Sequence, residues 1–152
     1  MMSEPVHDRI QLWVELPAKA EKVWAEIGDF GALAAWHPDV LSSEVVEIEG
    51  DIYRHVRLAE GGLLFERLLE TGDHFYTYGV EDSPLPMENA RATLSCVAEK
   101  EGCRVFWGAL FDPLDPIVDD IVEGFFEAGL EALRKRFGGA RRTERRRRSP
   151  RG

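Results

Sequence analysis

The apolar positions of this chain repeat at two periods, and the order in which the periods alternate predicts its elements. From Val6 to Leu16 the residues Ile10, Leu12, Val14 and Leu16 alternate with Arg9, Gln11 and Glu15, the pattern of a half-buried strand, with Trp13 on the other face and Pro17 as a stop. The period then becomes helical. Val23, Trp24 and Ile27 share one stripe of a helix over 18–27 ended by Gly28, and a shorter helix over 30–36 is closed by Pro38. Alternation returns over six segments, near 43–49, 52–59, 63–70, 74–81, 90–98 and 103–111. They are separated by turn signals at Glu49-Gly50-Asp51, Gly61-Gly62, Thr71-Gly72-Asp73, Ser83-Pro84-Leu85-Pro86 and Lys100-Glu101-Gly102, so consecutive strands form antiparallel hairpins. A long amphipathic helix ends the pattern: Asp115 as N-cap, Pro116 at the first position, Asp119 and Asp120 near its positive end, Arg134, Lys135 and Arg136 near its negative end, and Gly138 as the stop. Its apolar face, from Ile117 through Val122, Phe125, Phe126 and Leu130 to Phe137, is too broad for a coiled-coil seam and needs a sheet to cover it. The class is α+β in the order βααββββββα, with a seven-stranded antiparallel sheet.

Hairpin parity assigns the strand faces. Pairing Ala98 with Cys103 sets Cys96 against Val105, Leu94 against Trp107, Ala92 against Ala109 and Ala90 against Phe111, an apolar face in which small residues oppose large ones. That face either interdigitates under the helix or leaves room for a guest. A two-residue turn at Gly61-Gly62 puts Arg54, Val56 and Leu58 on one face with Phe65, Arg67 and Leu69, and an even turn near Gly72 adds Tyr76 and Tyr78. The same turn sets Arg57 opposite Glu66 on the other face; a bulge between Gly62 and Glu66 would exchange the faces and send Glu66 inward. Buried arginines require anions or several acceptors, so Arg54, Arg67 and Tyr78 are candidates to hold an acidic ligand group; alternatively they reach outward or pair internally.

Composition narrows the classes. With 152 residues and 44% hydrophobic content the chain has material for one core, over 1–139. Residues 141–152 carry seven Arg and one Glu, or +6, which leaves −15 of the net −9 on the rest. So acidic a body is a poor nucleic-acid surface. The tail over 140–152 lacks apolar periodicity and is expected to be disordered, and any contact with nucleic acid or anionic lipid would fall to it. No apolar run is long enough to span a membrane, no signal peptide opens the chain, and the two cysteines fit a cytoplasmic protein. Four scattered histidines and no HExxH argue against a metal, and neither GxGxxG nor GxxxxGK[ST] is present, so no cofactor is expected.

The element order, together with Val23-Trp24, the run from Asp29 to Pro38, Gly61-Gly62 with Glu66-Arg67-Leu68-Leu69, Ser83-Pro84-Leu85-Pro86, and Trp107 with Phe111, resembles the START-related, Bet v 1-like (SRPBCC) superfamily and within it the polyketide cyclase/dehydrase-like group. The resemblance covers residues 6–138 and implies a helix-grip fold around an internal cavity. It implies binding of an apolar or aromatic small molecule such as a lipid or polyketide. It implies, alternatively, a cyclase or dehydratase that polarises a carbonyl and moves a proton with His37, Glu66 and Tyr78. The ligand-binding candidates are Trp36, Arg54, Phe65, Arg67, Tyr76, Trp107 and Phe125. A third possibility is an interaction protein using the acidic body and basic tail, as a monomer or homodimer.

Overall fold

Ile10, Leu12, Val14 and Leu16 are all buried, and their strand, β1 (Asp8–Leu16), lies within a continuous antiparallel sheet. The computed structural model describes residues 8–139 and 143–148. After β1 come α1 (Ala20–Ile27), a 3₁₀ turn (Phe30–Ala32) and α2 (Leu33–Trp36). Six strands follow: β2 (Val40–Ile48), β3 (Asp51–Leu58), β4 (Leu63–Gly72), β5 (Phe75–Asp82), β6 (Met87–Glu99) and β7 (Gly102–Pro113). The long helix is α3 (Ile117–Phe137), and β8 (Thr143–Arg148) closes the order. The strands run β2-β3-β4-β5-β6-β7-β1-β8 across the sheet. The predicted class, seven strands and helix order therefore stand.

β8 is a departure. Residues 143–148 pair with β1 from Val14↔Thr143 to Arg9↔Arg148, where the sequence predicts a disordered tail. A ladder is built from backbone N–H and C=O groups, so an edge that β1 leaves open can accept a segment with no apolar side chains. Residues 140–142 and 149–152 of that tail, and the predicted start of β1 before residue 8, lie outside the described residues.

The ends of α3 follow the local chemistry. Asp115 Oδ1 accepts from Ile117 N at 2.9 Å, and Gly138, at φ +79°, turns left-handed and returns its N–H to the Arg134 carbonyl. The C-terminal half of the helix lies close to its neighbours: a Cβ on Gly129 would stand 2.7 Å from His37 Cδ2 and 2.8 Å from Trp107 Cζ3. The stacked pair Trp107 and Phe126, 4.4 Å between ring centres, fills the space beside it. Cys96 and Cys103 are buried free thiols whose pKa values burial pushes up, which suits small core residues rather than nucleophiles.

Candidate functional site

Between the N-terminal half of α3 and the sheet the packing stops short and leaves a cavity of about 410 Å³. Its wall is mostly aliphatic and aromatic: Leu64, Val80, Leu85 and Met87 from the sheet and its loops, Phe111 from β7, and Val122, Phe125 and Phe126 from α3. The room comes largely from Ala92 and Ala109, which face each other across β6 and β7 where the neighbouring pair is Leu94 and Trp107. Glu60, Gly61 and Gly62 of the β3–β4 loop and Pro84 of the β5–β6 loop bound it at one end. Glu66 and Tyr78 bring polar atoms to the interior.

Glu66 faces inward because the β3–β4 hairpin is odd. Leu58 N donates to Gly62 O at 2.8 Å and Gly61 N to Leu58 O at 2.9 Å, closing a loop of Ala59, Glu60 and Gly61, with Gly61 at φ +101°. The pairs are then Arg54↔Glu66 and Val56↔Leu64, with Arg57↔Leu63 on the other face. An even turn at Gly61-Gly62 would have made the opposite choice, since a shift by an odd number of residues turns every side chain over. Two expected ligand residues are therefore outside. Phe65 stacks on Tyr53 at 4.8 Å and packs on His55, and Arg67 pairs with Asp51 at 3.1 Å while 39% exposed, a surface bridge worth little.

Arg54 is fully buried and lies behind the cavity rather than on its wall. Its Nε donates to Glu66 Oε1 at 2.7 Å, and its Nη1 donates to Phe30 O at 2.8 Å and to Tyr76 Oη at 3.2 Å. The guanidinium carbon stands 4.1 Å from the Phe30 ring centre and 4.7 Å from that of Tyr78, within cation–π range of both. Burial opposes the charge, but Tyr76, Glu66 and Tyr78 outweigh it and raise the Arg54 pKa, so the group stays cationic. Tyr78 Oη accepts from Trp107 Nε1 at 3.1 Å, which leaves the phenolic hydrogen for another acceptor. Burial, with Glu66 nearby, raises the Tyr78 pKa well above its usual value and keeps it a neutral phenol.

His37 is engaged on both sides of its ring. Nδ1 accepts from Asp39 N at 3.1 Å, so Nε2 carries the hydrogen and donates to Phe125 O at 2.7 Å. The ring stacks on Phe125 at 4.1 Å, and burial lowers its pKa, so it is neutral and has no free nitrogen for proton transfer. Trp36, Tyr76 and Trp107 are likewise core residues and not cavity wall: Trp36 packs on Trp107 at 5.5 Å and Tyr76 meets Phe30 edge-on at 5.4 Å.

A family model described as "Polyketide cyclase / dehydrase and lipid transport" matches residues 7–138. The chain belongs to that family. No curated protein matches it. Among solved structures, XoxI from Bacillus cereus is similar at 29% identity and a TM-score of 0.79, over 85% of this chain and 94% of that one. A Thermobifida fusca protein solved by NMR is similar at 32% identity and a TM-score of 0.74, over 86% and 93%. The Zhui aromatase/cyclase from Streptomyces sp. R1128 shares the fold at 14% identity and a TM-score of 0.74, over 87% and 94%.

Within this polyketide cyclase/dehydrase and lipid transport domain, the structure brings Glu66, Tyr78 and Phe125 of the candidate residues to the cavity, with Arg54 one layer behind. Most of the wall was not singled out by residue type, because Leu64, Val80, Leu85, Met87 and Val122 read as ordinary core positions. The signal that bears on it is the Ala92–Ala109 pair. Among the described residues no group of three or more His, Cys, Asp or Glu is placed to hold a metal ion, and no helix is long and apolar enough to cross a membrane.

Proposed function

We propose that the protein binds an apolar or aromatic small molecule, of lipid or polyketide type, in the cavity beneath α3 and holds it without turnover. The observation that carries this reading is the cavity itself: about 410 Å³ of space in an apolar wall, a size and lining suited to a small ligand. The family's description, which includes lipid transport, is in keeping with it. The enzymatic alternative draws on Glu66 and Tyr78 sharing one cavity, and on the aromatase/cyclase that shares the fold. Against it, Glu66 is paired with Arg54, Tyr78 is held as a neutral phenol, and His37 has both nitrogens bonded. An interaction role for the acidic body and basic tail has no comparable site behind it.

Native mass spectrometry of the purified protein, followed by extraction of what it retains, tests the binding reading. So does a fluorescent apolar probe titrated into wild type and into Ala109→Phe or Ala92→Leu, which fill the space. Loss of one-to-one binding in variants that still melt cooperatively is the expected result. Unchanged binding in both would place the ligand elsewhere.

A further inference from the structure

The groups that meet a ligand inside the cavity include a carboxylate and a phenol, and this specifies the ligand more narrowly than an apolar wall does. Such selectivity presupposes that the cavity binds a small molecule, as proposed. Glu66 opposes Val80 and Tyr78 opposes Leu68 in a regular stretch of the β4–β5 ladder, so Glu66 and Tyr78 are diagonal neighbours on the inward face. Among the described residues, Glu66 Oε1 takes the bond from Arg54 and no hydrogen bond engages Oε2. Glu66 retains 5% of its side-chain surface, and it lines the cavity. Tyr78 Oη accepts from Trp107, so its hydrogen is available to an acceptor.

Arg54, the buried cation nearest the cavity, is absent from the wall: its Nε and Nη1 are directed to Glu66, Phe30 and Tyr76, and its Nη2, without a hydrogen-bond partner among the described residues, is buried too. Glu60 at the glycine-loop end and Arg91 of β6 also border the cavity, but both are exposed and opposite in charge, so Glu66 is the charged group held in its interior. A ligand carboxylate would thus meet Glu66 first and lose its water in an apolar space whose buried cation, Arg54, is already paired with Glu66, while Arg91 at the border is solvated. A ligand cation would also be desolvated, and would compete for a carboxylate that Arg54 already neutralises. A neutral hydroxyl meets both groups with the right polarity.

We propose that the cavity selects apolar ligands bearing a neutral hydroxyl, a phenol or an alcohol, which donates to the Glu66 carboxylate and accepts from the Tyr78 hydroxyl, and that it discriminates against carboxylates. Hydrogen bonds to charged groups are the stronger ones, and the Glu66 contact alone is sufficient for about a tenfold preference.

The test is calorimetric titration at neutral pH with three probes of one shape: 4-phenylphenol, 4-methylbiphenyl and biphenyl-4-carboxylate. Wild type should bind the phenol at least about tenfold more tightly than the methyl compound, and the carboxylate at least about tenfold more weakly than the methyl compound. Tyr78→Phe should cut the phenol preference severalfold. Because Glu66→Gln leaves Arg54 buried without its counter-charge, the double variant Arg54→Met/Glu66→Leu carries the other arm: the phenol preference should vanish while the methyl compound still binds. Carboxylate binding equal to or tighter than phenol binding overturns the proposal, as does a phenol preference that survives in both variants. Equal binding of all three probes overturns the selectivity and leaves the binding reading intact. Failure of all three to bind wild type overturns both.

Discussion

Glu66→Gln removes one charge from a pair that the fold has sealed, and its cost follows from what remains. Arg54 has no exposed surface, and its cationic side chain would keep Phe30 O, Tyr76 and the flanking rings but lose the anion 2.7 Å away. Its Nη2 has no hydrogen-bond partner among the described residues, so the network has no spare acceptor to take over. Breaking a buried pair on one side costs about 3–5 kcal/mol, a large share of the roughly 5–15 kcal/mol that holds a domain together. At about 2–4 °C per kcal/mol for a chain of this size, the melting temperature should fall by about 10 °C. Arg54→Met/Glu66→Leu removes both charges with similar volume, and should sit within about 1 kcal/mol of wild type, or above it. Urea denaturation of wild type, Arg54→Met, Glu66→Leu and Arg54→Met/Glu66→Leu, with Glu66→Gln alongside and m-values checked for constancy, measures the coupling. A Glu66→Gln loss below about 1 kcal/mol, or a double variant as unstable as the single, would refute the claim that the pair is sealed from solvent.

Three further outcomes are expected. Gly129→Ala should cost about 1–3 kcal/mol, because its methyl group meets His37 and Trp107 at under 3 Å, whereas Gly124→Ala, with nothing within 4 Å, should gain up to about 1 kcal/mol from helix propensity; denaturant midpoints of the two variants compare them directly. His37 has its pKa lowered by burial from the usual 6.5, so the stability linked to it is complete above that value and is lost as pH falls toward the lowered one; denaturation between pH 7 and about 5 should show a steeper loss in wild type than in His37→Gln. Tyr78 has its pKa raised by burial above the usual 10.0, so its contribution is complete below that value and declines as pH rises beyond it; wild type should lose stability more steeply than Tyr78→Phe in that alkaline range, by up to about 1.4 kcal/mol per pH unit.

The chain's elements were legible because each is stated twice, by periodicity and by punctuation. The β6–β7 register was legible for the same reason: Lys100 and Glu101 make a two-residue connection, and the pairs from Ala98↔Cys103 to Ala92↔Ala109 stand as predicted, up to a register shift between Glu88 and Arg91. The β3–β4 register was not. Two adjacent glycines fit an even turn at Gly61-Gly62 as well as the odd loop ending at Gly61, and the strands gave no strong arbitration, since both faces of β4 mix apolar with charged residues. An even turn there points Phe65 and Arg67 inward and Glu66 outward, whereas the odd loop leaves Phe65 and Arg67 outside and brings Glu66 to an otherwise apolar cavity. β8 was beyond composition altogether, because a strand of arginines is recruited through its backbone.

The same contacts explain why the cavity occupies only half of the space under α3. His37 Nε2 donates to the Phe125 carbonyl from the short segment after α2, and its ring stacks on Phe125, so the helix is tied to the body at the point where its character changes. C-terminal to that tie, Gly129 lets the helix approach His37 and Trp107 closely, and Leu130 and Leu133 are fully buried. N-terminal to it, Val122 and Ile121 face open space across from Ala92 and Ala109. A histidine that carried a proton in catalysis would have to release one of these bonds and loosen the helix at the cavity's inner boundary. If His37 acts on the site only through the position of Phe125, His37→Gln should weaken an apolar probe severalfold without altering the phenol-to-methyl preference proposed for Glu66 and Tyr78. A change in that preference, measured with the same three probes, would show that His37 meets the ligand itself.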